Sequence, residues 1–320
     1  MMARTDLTPV SPLTGSARPD YETNGERTAH AVRLMLDLYV PTAKQEALIS
    51  KVNAFTNACS GMSGVPLPGR ALSEPSQAGK SRTIAEMARR LNAVTPCNPR
   101  RVIHLELTER ITVKMLYQRI LVKLGDPEAL GRYSVEILRQ RCAELLPAVG
   151  TNLLAIDEIQ LLGKLTNDNY EVADALKSML DTGIVPILFS GNEKAKNIFE
   201  VNEQLRGRLG VPLELMPVNP RLLADRKALK TFADALDVAI TASGLVSPSG
   251  LGESQVLRQL GKAAGGYTGR FCRIVGAALE HACARGAERI EPYDLSHAVR
   301  HLAIPARWVG KNPFPEPDRW

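Results

Sequence analysis

The chain has 320 residues, 44% of them hydrophobic, with a net charge of +6 and a pI near 9.1. That length allows two or three domains with cores of their own, and the modest basic excess is compatible with nucleic acid without demanding it. Five scattered cysteines without a Cys-x-x-Cys pair argue against a disulfide framework or a zinc site, and with neither an apolar signal core nor a membrane-length apolar run the expected location is cytoplasmic.

Residues 1–26 are rich in Pro, Thr, Ser and Gly, lack periodicity, and read as a flexible arm. A helical segment is expected over 27–62. Its first helix carries Ala31, Leu34, Leu36 and Leu38 on one side, and its second, after Pro41-Thr42, carries Ala47, Leu48, Val52 and Phe55. Strands and helices then alternate through 63–217. Strands are predicted at Arg70–Ser73, Arg101–Leu107, Leu153–Asp157, Val185–Gly191 and Pro212–Met216. Helices are predicted at Lys80–Leu91, Val113–Leu124, Val135–Leu146 and Tyr170–Leu180. This alternation predicts an α/β fold, a parallel sheet covered by helices. Four helical segments follow, at about 221–243, 253–264, 268–285 and 292–303, so 218–305 reads as a small all-helical domain. Residues 306–320 form a Pro-rich tail that either docks on a partner or frays.

Two motifs carry the chemistry. The run Asn-Leu-Leu-Ala-Ile ends in Asp157-Glu158, two carboxylates at the carboxyl end of a predicted parallel strand, where open α/β sheets place their ligands. Residues 74–81 read Glu-Pro-Ser-Gln-Ala-Gly-Lys-Ser. The Gly79-Lys80-Ser81 half of a phosphate loop is intact, while Glu74 replaces its first glycine. Backbone N–H groups of Ser76, Gln77 and Ala78 are available to cradle phosphates, Gly79 allows close approach, Lys80 can reach the β- and γ-phosphates, and Ser81 can hold Mg²⁺. The helix that opens at Lys80 adds a dipole that favours anions. Together these motifs predict an ATP site. Asn192, at the end of a strand, is placed to sense the γ-phosphate or, as an alternative, to cap the next turn. Arg206 and Arg208 are candidates for an arginine presented by a neighbouring subunit. His297 and His301 have a spacing that can hold a metal, but they read as surface residues of the helical domain.

The chain resembles the TniB/TnsC family of AAA+ transposition regulators, which are MuB-like in function. The resemblance rests on Leu153–Gln160, on Ala175–Leu180 with Ile184–Ala195, on Asn202–Leu209, and on Gly266–Ala282 before Ile290-Glu-Pro-Tyr-Asp-Leu. It covers roughly residues 27–303. The resemblance implies an AAA+ P-loop ATPase core with a helical lid. It further implies a homo-oligomer, ring or helical filament, that assembles on double-stranded DNA with ATP. In that family the assembly links a TniQ-like target selector to a DDE transposase, and hydrolysis controls assembly and disassembly. Carried onto this chain, Lys80 and Ser81 bind phosphates and Mg²⁺, Asp157 holds Mg²⁺, Glu158 polarises the attacking water, and Asn192 is the sensor. Arg208 is the arginine finger and Arg270 the lid sensor, with Arg206 and Arg273 as substitutes. Gln160 stands where many family members carry His. The expected DNA-facing segment contains Arg110, Thr112 and Lys114, with Arg119 and Lys123 further along the same helix. These side chains can grip phosphates without reading bases. Two alternatives remain open: an AAA+ loader or initiator outside transposition, and a nucleotide-gated scaffold with little hydrolysis.

Overall fold

The computed structural model describes residues 21–62, 64–163 and 167–315. Most of the expected N-terminal arm, the end of the Pro-rich tail and Trp320 lie outside them. The described chain divides into two compact units, one formed by residues 43–216 and the other by the residues before 43 and after 216.

The first unit is built on a parallel sheet of four strands, β1 (Gly69–Ser73), β2 (Val102–Glu106), β3 (Leu153–Asp157) and β4 (Ile187–Gly191), in the order β1-β4-β3-β2. β3 and β4 are buried at every residue, as expected of central strands covered on both faces. The register pairs Ser73 with Gly191 and Glu106 with Asp157, so four strand ends form one carboxyl edge. β4 begins at Ile187 because Pro186 has no N–H for the ladder. Helices α2 (Ala43–Cys59), α3 (Lys80–Ala93), α4 (Val113–Leu124), α5 (Val135–Ala148) and α6 (Asn167–Asp181) surround the sheet, and the short helices α7 (Ala195–Val201) and α8 (Glu203–Arg206) follow β4. Gln45 of α2 donates to the Thr83 hydroxyl of α3 at 2.9 Å, and Arg90 meets Glu46 at the same distance.

The predicted strand at Pro212–Met216 does not form. It is reduced to one bridge, Leu72 with Leu213, held by Leu213 N–H donating to Ala71 C=O at 2.8 Å. Pro212 and Pro217 flank it without donors, and the Leu215 N–H is taken by the Glu74 carboxylate at 3.2 Å, so the ladder cannot continue.

The second unit packs α1 (Asn24–Asp37) with α9 (Leu223–Ala242), α10 (Ser254–Ala264), α11 (Thr268–Ala284) and α12 (Pro292–Ala298), the last continued by a π-helical turn over Val299–Ala303. The helical segment expected over 27–62 is thus shared between the two units. α1 starts at Asn24, capped by the Thr23 hydroxyl, and its inward face is Ala31, Leu34, Met35 and Leu38, whereas Leu36 is exposed. Arg27 fastens it by donating to Leu245 C=O at 2.5 Å and Ala287 C=O at 2.6 Å. Phe232 meets Phe271 edge to face at 5.5 Å in the middle of this core. The first part of the tail is not frayed: Trp308, Val309 and Phe314 join the helical core, and Asn312 donates to Ser296. No helix among the described residues is long and apolar enough to cross a membrane.

Candidate nucleotide site

The carboxyl edge of the sheet gathers the motif residues. β1 leads into the 74–79 loop and thence into α3, whose N-cap Gly79 has φ 93°, a left-handed backbone that a side chain would strain. Gln77 is left-handed as well, at φ 69°, whereas Glu74 is not. That explains how a glutamate can stand at the first glycine of the pattern. Its carboxylate turns inward, 8% exposed, and accepts from the Leu215 N–H.

Lys80, the first residue of α3, is 7% exposed, and its ammonium donates to Glu74 C=O at 2.8 Å and Pro75 C=O at 3.0 Å. Burial pulls its pKa below the ordinary lysine range, and the carboxylates of Asp157, Glu158, Glu74 and Glu193 work against that pull. One expectation needs correction. The Ala78 N–H is not free for a phosphate, because it donates to Pro75 C=O at 3.2 Å and closes the turn on itself. Ser76 is exposed, and the buried Gln77 side-chain oxygen has no hydrogen-bond partner.

Asp157 ends β3 and is 1% exposed. Burial pushes its carboxyl up, but the His104, Ser81 and Ser190 side chains face it, the Glu158 N–H donates to it at 2.9 Å, and the carboxyl is held down at about 2. The register explains the grouping. His104 pairs with Ala155 and Leu188 pairs with Ala155, so the period of two puts His104, Asp157 and Ser190 on one face. His104 Nε2 lies 3.9 Å from Asp157, in electrostatic reach but without a hydrogen bond, as is the Ser190 hydroxyl. An ionised carboxylate facing the Ser81 hydroxyl is a pair of hard oxygen donors, and Mg²⁺ is commonly held by one or two such groups plus substrate phosphates. The residues therefore fit that ion.

Glu158 follows with φ 61°, an uncommon backbone for glutamate. Burial and the adjacent Asp157 push its carboxyl up, while the Gln160 amide and Lys80 draw it down. Gln160 Nε2 donates to the Glu158 carboxylate, and Gln160 Oε1 accepts from the Asn192 N–H at 3.0 Å. The Asn192 side-chain oxygen is itself taken by the Lys194 N–H at 2.9 Å, so the turn-capping role is present, and its amide nitrogen is the part left for a ligand.

Within the first unit, Arg206 and Arg208 are not in this cluster. The Arg208 C=O accepts from the Gly69 N–H at 2.8 Å, at the opposite end of β1 from the phosphate loop, about 13 Å away at a strand rise of about 3.3 Å per residue. Its guanidinium, 42% exposed, pairs with Asp181. Arg206 faces Glu203 at 3.7 Å. In the second unit, Arg270 stacks on Tyr267 at 4.4 Å and Trp308 at 5.6 Å with its Nε unpartnered, and Arg273 stacks on Trp308 at 5.3 Å. Arg110 and Lys114 follow the carboxyl end of β2, Arg110 exposed with φ 59°. Thr112 caps α4 by accepting from the Met115 N–H at 3.2 Å, and Arg119 donates inward to Glu106 C=O at 3.1 Å, while Lys123 is exposed. His297 stacks between His281 at 3.8 Å and His301 at 4.3 Å. Among the described residues no group of His, Cys, Asp and Glu is arranged to hold a metal by itself.

Sequence reasoning missed His104, Ser190 and the anchoring of Glu74. A histidine inside the apolar strand Val-Ile-His-Leu-Glu, two residues before the strand end, was the available signal.

Residues 35–216 match the family model described as "Bacterial TniB protein". No curated protein matches the chain. The fold is that of AAA+ P-loop ATPases. Similar solved structures include the Aeropyrum pernix ORC2 protein, in ADPNP-ADP complexes, at 13% identity and a TM-score of 0.62, over 84% of this chain and 71% of that one. The Aeropyrum pernix ORC1 protein in complex with DNA has 18% identity and a TM-score of 0.61, over 85% and 69%. A Walker-type ATPase of Pyrococcus abyssi has 14% identity and a TM-score of 0.58, over 85% and 76%.

Proposed function

This chain belongs to the bacterial TniB family, and from that premise we propose that it is an ATP-dependent, DNA-binding regulator of transposition that assembles on duplex DNA and hydrolyses ATP to control that assembly. By family and fold it is an AAA+ ATPase. The observation that carries the reading is the meeting of Lys80, Ser81, Asp157 and Glu158 at one sheet edge within the region that matches the family.

The chemistry follows from the positions. The α3 N-terminus and Lys80 attract the phosphates, and binding would draw the Lys80 ammonium from the Glu74 and Pro75 carbonyls to the β- and γ-oxygens. Ser81 and Asp157 would hold Mg²⁺, which when bound neutralises charge on the phosphates. Glu158 would take the proton of an attacking water aligned in line with the γ-phosphate, with Asn192 holding that water or the phosphate. Arg208 cannot reach the loop of its own chain, so it would act on the site of the next subunit, where such an arginine is worth about 10³–10⁵ in rate. Arg270 would sense bound nucleotide, the role that the family resemblance gives it. DNA would be held through its phosphates by Arg110, Thr112 and Lys114, giving sequence-tolerant, salt-dependent binding. A TniQ-like selector and a DDE transposase are the proposed partners.

The test is complementation. Glu158→Gln and Arg208→Ala proteins, each inactive, should recover part of the DNA-stimulated ATP hydrolysis when mixed, because some interfaces then hold an intact glutamate and an intact arginine. Absence of recovery would remove the shared site. A second reading, an AAA+ loader or initiator outside transposition, is favoured by the likeness to ORC proteins. Stimulation of hydrolysis by a DDE transposase encoded beside the gene would decide for the first.

A further inference from the structure

We infer that Gln160 is a positioning residue that ties the water-activating Glu158 to the Asn192 turn and so fixes the carboxylate toward the phosphate site. The inference rests on the ATPase reading above and adds a residue to it.

Gln160 lies in the 3-10 turn Ile159–Gly163, directly after β3. Its one amide group spans two loops. Nε2 donates to the Glu158 carboxylate, and Oε1 accepts from the Asn192 N–H at 3.0 Å. An amide has one donor end and one acceptor end, and here each end meets its complement. A carboxylate at this position would keep the second contact and repel Glu158 in the first.

Two independent features show that the surroundings are built for this link. Gly191, the last residue of β4, leaves the space that the amide occupies: a Cβ there would stand 2.6 Å from Gln160 Oε1 and 2.8 Å from the Ile159 side chain. Glu158 has φ 61°, so its backbone is in a region that glutamate seldom adopts. A left-handed residue held by a side-chain tether is a fixed one. Glu158 directly follows the carboxyl end of β3, on the sheet edge where β1 runs into the phosphate loop. Asn192 is itself the candidate γ-phosphate contact, and Gln160 gives it and Glu158 a common support.

The experiment uses the full chain with Mg²⁺, ATP and duplex DNA. Three variants are compared with wild type: Gln160→Ala, Gln160→Glu and Gln160→His, whose ring offers one donor and one acceptor nitrogen. The readouts are kcat, KM for ATP, the Kd of a fluorescent ATP analogue, and the melting temperature. The expected result is a fall in kcat of about tenfold or more for the Ala and Glu variants with Kd within about threefold of wild type, and partial recovery of kcat in the His variant. A purely structural role would instead change Kd, kcat and melting temperature together. Wild-type kcat in the Ala and Glu variants, or equal losses in kcat and Kd, overturns the inference. If the Ala variant does not fold, the isosteric Glu variant and the His variant decide it. Wild-type protein without hydrolysis sensitive to Glu158→Gln would overturn the ATPase reading, and this inference with it. Normal wild-type hydrolysis with unaffected Gln160 variants would overturn this inference alone.

Discussion

Glu74 decides how the altered phosphate loop should be understood. The sequence shows a carboxylate where a glycine is usual, and nothing nearby in sequence says where it points. Its partner, the Leu215 N–H, is 141 residues away, which is why the role could not be read in advance. The loop tolerates Glu74 because its backbone is not left-handed and its carboxylate satisfies a buried donor. Restoring the common glycine should therefore harm the protein. Glu74→Gly leaves the Leu215 N–H unpaired and adds backbone freedom, costing about 1–3 kcal/mol of stability in chemical denaturation. Glu74→Gln, which keeps an acceptor, should cost less. By contrast Lys80, Asp157 and Glu158 were legible because phosphate loops and acidic strand ends are local patterns. Lys80→Ala should abolish binding of an ATP analogue, as measured by fluorescence titration, without lowering stability much, since relief of the desolvation of a buried ammonium offsets its two hydrogen bonds to carbonyls.

At the scale of elements, alternating apolar runs revealed the sheet and its helices, and the bounds differ by a few residues. The exceptions have physical causes. Pro212–Met216 has the composition of a strand but loses its ladder to prolines and to Glu74. The partition of 27–62 was not legible, because an apolar stripe says that a helix face is buried but not against which core. α12 shows how an element is fixed once placed. Glu291 and Asp294 form its capping box, and the fully buried Asp294 also accepts from Arg285 at 2.8 Å and meets His281 at 2.6 Å. Burial pushes the Asp294 carboxyl up, but Arg285, the Glu291 N–H and His281 outweigh it and hold it below its ordinary value. Its folded pKa is therefore depressed. The stability it contributes is fully present above its unfolded value, about 4, and is lost as pH falls through the folded pKa below that. Melting curves from pH 6 to pH 2 should show the wild type losing stability in acid more steeply than Asp294→Asn, whose overall stability at pH 6 should be lower.

At the scale of the molecule, the proposal is an ATP site shared between neighbouring subunits. Arg208 lies at the far end of β1 from the phosphate loop, and Val211 beside it is 75% exposed. If Arg208 serves the site of the next subunit, as proposed, Val211 stands three residues from that contact. Val211→Glu should weaken ATP-dependent assembly in light scattering by about tenfold while analogue binding by the single chain stays intact. DNA affinity should fall steeply with salt and hardly with sequence, and Arg110→Ala should reduce the salt slope by about one. The proposed partners come from the family resemblance alone, since no local motif in the sequence names them.

If ATP drives assembly on DNA and hydrolysis undoes it, blocking hydrolysis should trap the assembly. Electron microscopy of the Glu158→Gln protein with ATP, Mg²⁺ and duplex DNA tests this most directly. Rings or filaments on DNA are expected that persist, that require ATP, and that the Lys80→Ala protein does not form. DNA left bare by a Glu158→Gln protein that binds ATP, or identical assemblies with and without nucleotide, would contradict it.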